Sequence, residues 1–192
     1  PVGHGIVCKD DLVITSGTYT VNSASHGLDA NDSVRVANAT LNIDAGKDAI
    51  HAENTDDTSL GYIYIASGTI KAEAEGDGIA AGAYMQIADG TIDLLVGGGS
   101  ENGSKEHSDN FGGFMGGGHG GGRPGEMRPG DSQSSTTTTD ENSTSMKGLK
   151  ATNSMLISGG NFTINSADDS VHSDVSVIIN GGTFTMASGD DA

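Results

Sequence analysis

The stretches AGKDAIHAE (residues 45–53) and SADDSVHSD (residues 166–174) share one order: acid, small residue, aliphatic residue, histidine, small residue, acid. His51 stands three residues after Asp48, and His172 three after Asp169. A histidine beside a carboxylate is one arrangement for general acid–base chemistry. It is also what a hydrogen-bonded ladder residue looks like, and that plainer reading is the favoured one. Asp48, Asp77, the pair Asp168/Asp169 and the pair Asp190/Asp191 recur at one place in a repeat. Two carboxylates about 5 Å apart repel by roughly 3 kcal/mol at an effective dielectric of about 20. A hard divalent cation would relieve this, because calcium takes six to eight oxygens from carboxylates, carbonyls and water. Asp48, Asp77, Asp168, Asp169, Asp190 and Asp191 are therefore candidate calcium ligands. The bland alternative is turn aspartates that cap strand ends. A second, weaker acidic corner holds Asp10, Asp32, Glu53, Asp56, Asp57 and Asp174.

These residues sit in a repeat. Gly5, Gly27, Ala49, Gly78, Gly148 and Ser170 open related phrases at a basic step of 22 residues. The longer steps hold an insertion of seven residues near TDDTSLG and a long one at 97–145. Each copy has three short alternating stretches. Ile6, Leu28, Ile50, Ile79, Leu149 and Val171 share one position in the first. Leu12/Ile14, Val34/Val36, Ile63/Ile65, Met85/Ile87, Met155/Ile157 and Val177/Ile179 share the second. Tyr19/Val21, Leu41/Ile43, Ile70/Ala72, Ile92/Leu94, Phe162/Ile164 and Phe184/Met186 share the third. Period-2 alternation puts each set on one face of a strand. Three strands per 22-residue turn predict an all-β, right-handed parallel β-helix of six coils and the start of a seventh. A β-sandwich would not need so fixed a repeat. Ile50, Ile79, Val36, Ile65 and Phe184 are expected in the core. The outward column of the first strand reads Val7, Asp29, His51, Ala80, Lys150, His172. It makes His51, His172 and Lys150 candidate ligand-binding residues. Tyr62, Tyr64 and Tyr84 lie on the exposed face of the second strand, where a tyrosine stripe can stack on sugar rings.

Composition bounds the partners. The 192 residues are enough for one domain with a core, and the net charge is −17. That excludes nucleic acid and anionic lipid as direct partners, since both need basic surface. No apolar run is long enough to span a bilayer. One cysteine, Cys8, forms no internal disulfide and reads as a small core residue. Residues 1–192 are expected to be a single domain cut from a longer chain. The insertion 97–145 is rich in Gly, Ser and Thr and is expected to be a flexible loop. Its His107, His119, Met115 and Met127 have no spacing that defines a metal site.

The phrases GDGIAAGAYMQIADGTID and KGLKATNSMLISGGNFTINSADDSVHSDVSVIINGGTFTMASGDDA flank that insertion. Together they resemble the bacterial carbohydrate-binding β-helix family typified by a clostridial cellulose- and acid-sugar-binding protein. The resemblance implies a secreted or surface-attached, calcium-containing, non-catalytic module for polygalacturonate-like or cellulosic polysaccharide. Asp48–His51 and Asp168–His172 match the family phrase well. Asp77 is followed by Ala80 where the histidine would stand, and His4, His26 and Lys147 replace the acid in three coils. A pectate-lyase-like enzyme remains an alternative, with Lys150, Lys147, Lys71 or Arg35 as its base, but no cluster of basic residues accompanies the acids. A ligand-free stalk is the third reading.

Overall fold

The computed structural model describes residues 1–103 and 145–190. In chain order the strands are β1 (Ile6–Cys8), β2 (Asp11–Ser23), β3 (Leu28–Ala30), β4 (Ser33–Ala45), β5 (Ile50–Ala52), β6 (Tyr62–Ile65), β7 (Gly68–Ala74) and β8 (Ile79–Ala81). They continue as β9 (Met85–Ile87), β10 (Thr91–Val96), β11 (Leu149–Ala151), β12 (Ser154–Ile157), β13 (Asn161–Ser166), β14 (Val171–Ser173), β15 (Ser176–Ile179) and β16 (Thr183–Ser188). The fold is all-β, with parallel strands in two curled sheets and, among the described residues, no α-helix.

One sheet holds the three-residue strands in the order β1-β3-β5-β8-β11-β14. Its register aligns Ile6, Leu28, Ile50, Ile79, Leu149 and Val171, the row that the repeat picks out. The other sheet carries the second and third stretches, again with like residues paired, as in Ile63↔Met85 and Phe162↔Phe184. Alternation does the sorting: β10 reads exposed and buried by turns, with Ile92, Leu94 and Val96 inside. Ile50, Ile79, Val36 and Ile65 are buried as expected. Each such side chain contributes about 2 kcal/mol by leaving water. Glycines with positive φ mark the bend into the third stretch. At Gly68, φ is 121° and a Cβ would stand 2.5 Å from the Ala39 carbonyl oxygen, so only glycine fits.

Three expectations need correction. The second and third stretches of the first two repeats are not separate strands. β2 and β4 run unbroken because they pair with each other from Asp11↔Ser33 to Ser23↔Ala45, so the ladder bridges the bend. Phe184 is only partly buried, and Val177, Ile179 and Met186 are exposed. β15 and β16 each have one neighbouring strand, so one side of each of their side chains has no strand over it among the described residues. Lastly, the insertion does not begin as a loose loop. Residues 97–103 form a tight turn with a 3-10 segment at Ser100–Asn102. The Ser100 N–H donates to Asn165 Oδ1 at 2.8 Å, and Asn102 Nδ2 donates to the Gly97 carbonyl at 3.2 Å. Gly97 abuts Met146, the point of return: a Cβ on Gly97 would stand 2.5 Å from Met146 Sδ. Residues 104–144, with the histidines and methionines of the insertion, lie outside the described residues, as does Asp191.

Candidate functional site

The residue two before each short strand forms one backbone column. The carbonyls of His26, Asp48, Asp77, Lys147 and Asp169 accept N–H bonds of 2.8–3.0 Å from the preceding repeat. The outward column beside it runs Val7, Asp29, His51, Ala80, Lys150, His172, as expected. Stacking strands in register therefore brings Asp48 over Asp77.

Their carboxylates are turned to backbone donors, as turn aspartates that cap strand ends would be. Asp48 Oδ1 accepts the Asp77 N–H at 2.7 Å, and Asp77 Oδ1 accepts the Lys147 N–H at 2.8 Å. Each acid caps a backbone donor of the next coil. Lys150 Nζ lies 3.1 Å from Asp77 Oδ2, pairing a carboxylate that is 3% exposed. Lys147 Nζ pairs with Asp168 and lies 3.1 Å from Asp169 Oδ2. His172 places Nδ1 2.8 Å from Asp169 and Nε2 3.0 Å from Asp174. Burial pushes the Asp168 carboxyl up, but contact with the Lys147 ammonium outweighs it and the net is downward. Burial pushes Lys147 down, and its two aspartates more than reverse that, so its pKa is raised.

Toward the N-terminus the same two columns are filled by imidazoles. Asp29 binds two of them, His4 Nδ1 at 2.8 Å and His51 Nδ1 at 2.9 Å. His51 Nε2 turns to Glu53 Oε2 at 3.4 Å and Asp48 Oδ2 at 4.0 Å. His26 Nδ1 lies 3.3 Å from Asp48 Oδ2, yet it is buried and makes no hydrogen bond. The His26 and His51 rings stack with centroids 4.2 Å apart. Burial raises the Asp48 pKa, and the His26 contact, the Asp77 N–H and the charge of His51 carry it below the ordinary value. His26, Asp48, His51 and Glu53 line a cavity of ≈ 330 Å³, with Lys47, Asp77 and Lys150.

Among the described residues, two groups bring three metal-competent donors within 4.8 Å: His26–Asp48–His51 and Asp168–Asp169–Asp190. The second acidic corner does not converge in this way. Asp32 accepts from Asn54 Nδ2 at 2.6 Å, Asp57 holds Ser59, and Asp56 binds the Asn54 side chain through its N–H. Asp10 uses its carbonyl to accept the Asp32 N–H.

The tyrosines do form a shelf. Tyr62 and Tyr64 project from β6 with ring centroids 6.5 Å apart and planes within 12°. Tyr84 lies beside them on the next coil, 47% exposed. The Tyr62 hydroxyl donates to Gln86 at 3.1 Å. Tyr62, Tyr84 and Gln86, with Met85, Leu156 and Ile178, line a shallow cavity of ≈ 260 Å³.

A family model described as "Carbohydrate-binding domain-containing protein" matches residues 1–192. The chain belongs to that family. No curated protein and no solved structure matches it. Membership in this carbohydrate-binding domain family supports a polysaccharide partner and suggests a non-catalytic role. Among the described residues, no helix is long and apolar enough to cross a membrane.

Sequence reasoning missed some of this carbohydrate-binding domain's site residues. Asp29 was placed in its column but not recognised as the acid that holds two histidines. Lys147 was seen as a departure from the acid column rather than as its counter-charge. Gln86 was not singled out. The signal for the first two was present: the two neighbouring columns, read together, alternate in charge.

Proposed function

We propose that this domain is an extracellular, non-catalytic module that binds acidic, polygalacturonate-like or cellulosic polysaccharide, and that its parallel strands are the coils of a right-handed parallel β-helix. The observation that carries the binding reading is the tyrosine shelf. Tyr62, Tyr64 and Tyr84 present aromatic surface on the outer side of one hydrogen-bonded sheet, with Gln86 alongside. The C–H face of a sugar ring packs on such surfaces while its hydroxyls bond to adjacent polar groups. The register of like residues across neighbouring repeats supports the coil reading.

Calcium belongs to this proposal at Asp168, Asp169 and Asp190. The all-oxygen donor set fits a hard cation. Lys147 already neutralises two of these acids, so calcium there competes with an ammonium. When bound, it would supply the bridge that lets an acidic protein hold a uronate carboxylate. The lyase alternative draws no support from Lys150, whose ammonium is engaged by Asp77.

Binding of the whole chain to polygalacturonate and to cellulose, with and without EGTA, tests the reading. Tyr84→Ala should weaken binding roughly ten-fold, the loss of one stacking contact of about 1.5 kcal/mol. Undiminished binding by Tyr84→Ala and Tyr62→Ala together would move the sugar off this face and overturn the proposal.

A further inference from the structure

We propose that His26, Asp48 and His51, with Glu53 as fourth ligand, form a binding site for a borderline divalent metal ion of the zinc class. Three independent features point there. The first is distance. Ligand atoms about 2.05 Å from a tetrahedral zinc stand about 3.3 Å from one another. His26 Nδ1 and Asp48 Oδ2 are 3.3 Å apart, and His51 Nε2 and Glu53 Oε2 are 3.4 Å apart. Two edges of the tetrahedron are thus already set. A third edge, His51 Nε2 to Asp48 Oδ2, is 4.0 Å, within a small side-chain rotation of closure.

The second feature is orientation. His51 gives its Nδ1–H to Asp29, which fixes the ring and leaves the Nε2 lone pair toward Asp48 and Glu53. A carboxylate behind a histidine is the usual support of a metal-bound imidazole. His4, on the other oxygen of Asp29, holds that carboxylate in turn.

The third feature is the unused donor. His26 Nδ1 is buried, and its contact with Asp48 Oδ2 at 3.3 Å is not a hydrogen bond of good geometry, so its bonding capacity is poorly used. A metal ion at this point would accept its lone pair. Two imidazoles and two carboxylates favour zinc, cobalt, nickel or copper over calcium, which prefers oxygen. Their two negative charges balance a dication. The corresponding group near the C-terminus, Asp168, Asp169 and Asp190, is all oxygen and lacks the paired imidazoles such an ion prefers.

The site is independent of the sugar reading, and metal alone probes it. Purified full-length chain, stripped with EDTA and returned to buffer, is titrated with zinc in excess calcium. One equivalent should bind, and cobalt should give the intense visible bands of a four-coordinate ion. In the unmodified protein, zinc should shift the imidazole NMR signals of His26 and His51 and leave that of His172 in place. This arm needs no variant to fold. His26→Gln and His51→Gln should each abolish the bound equivalent. Asp29→Asn, acting through His51, should weaken it by about ten-fold or more. His172→Gln should leave it unchanged. Zinc that shifts His172 instead, binding that survives the His26→Gln/His51→Gln double variant, or no bound equivalent at all would each overturn the proposal.

Discussion

Two parts of one surface face the same electrostatic problem and solve it differently. In both, parallel stacking gathers acids from neighbouring repeats into the same columns. Near the C-terminus, Lys147 and Lys150 insert ammonium groups among Asp77, Asp168 and Asp169. Near the N-terminus, His4, His26 and His51 stack in the same two columns around Asp29 and Asp48. An ammonium has three donors and no lone pair, so it occupies the position a cation would take. An imidazole keeps a lone pair and can share its carboxylate with a metal. Whether this ladder is neutralised from within or open to an ion therefore turns on one residue type per coil.

Both corners rest on the same apolar column, and the strongest way to break the comparison is to remove that support. Ile65→Asp places an unpaired charge at a fully buried position. It should abolish cooperative unfolding and leave neither corner formed, as followed by circular dichroism. A variant that still melts cooperatively would show that the stack tolerates charge in its interior.

The next largest effect sharpens the contrast. Lys147→Met leaves Asp168 and Asp169 without their shared ammonium, at side-chain exposures of 26% and 13%. The loss should be about 3 kcal/mol in urea unfolding. Calcium should stabilise this variant more than the parent, since the competing ammonium is gone. Equal calcium response in both would remove Asp168, Asp169 and Asp190 as its ligands.

The smallest effect lies in pH. Asp48 and Asp168 have pKa values below the ordinary 3.8, so their stabilisation is complete above that value and fades as pH falls through the depressed one. Acid thus strikes both corners. Lys147 lies above its ordinary 10.5, so its contribution is whole below that pH and lost as pH rises through the raised value. Alkali should weaken only the lysine corner. The melting temperature of the parent should fall above pH 10.5 more steeply than that of Lys147→Met; parallel curves would mean that another group governs the alkaline limb.

The rows of the fold were legible because the repeat carries them. Ile6 to Val171 pair as the 22-residue step required, and period-2 alternation named the buried residues of the inner strands. Burial at β15 and β16 was not legible, since alternation says which way a side chain points and nothing about how many neighbours cover it. The acid column was legible as a column because the same register carries it. How its acids are partnered depends on side chains crossing between two columns and two repeats, as when Asp29 takes His4 from one repeat and His51 from another. A reading made one column at a time cannot show that. The tyrosine shelf needed no crossing, because its members project from the outer face of one sheet.

The contact of Gly97 with Met146 has a consequence for how this molecule can change over evolutionary time. Where an excursion departs and rejoins at touching points, the cost of closing it depends weakly on its length. Doubling that length costs roughly 0.6 kcal/mol of closure entropy. The paired strands on either side, β10 and β13, stay in register across the insertion. Selection can therefore lengthen or shorten the segment at small entropic cost, while the paired rows accept change only one whole repeat at a time.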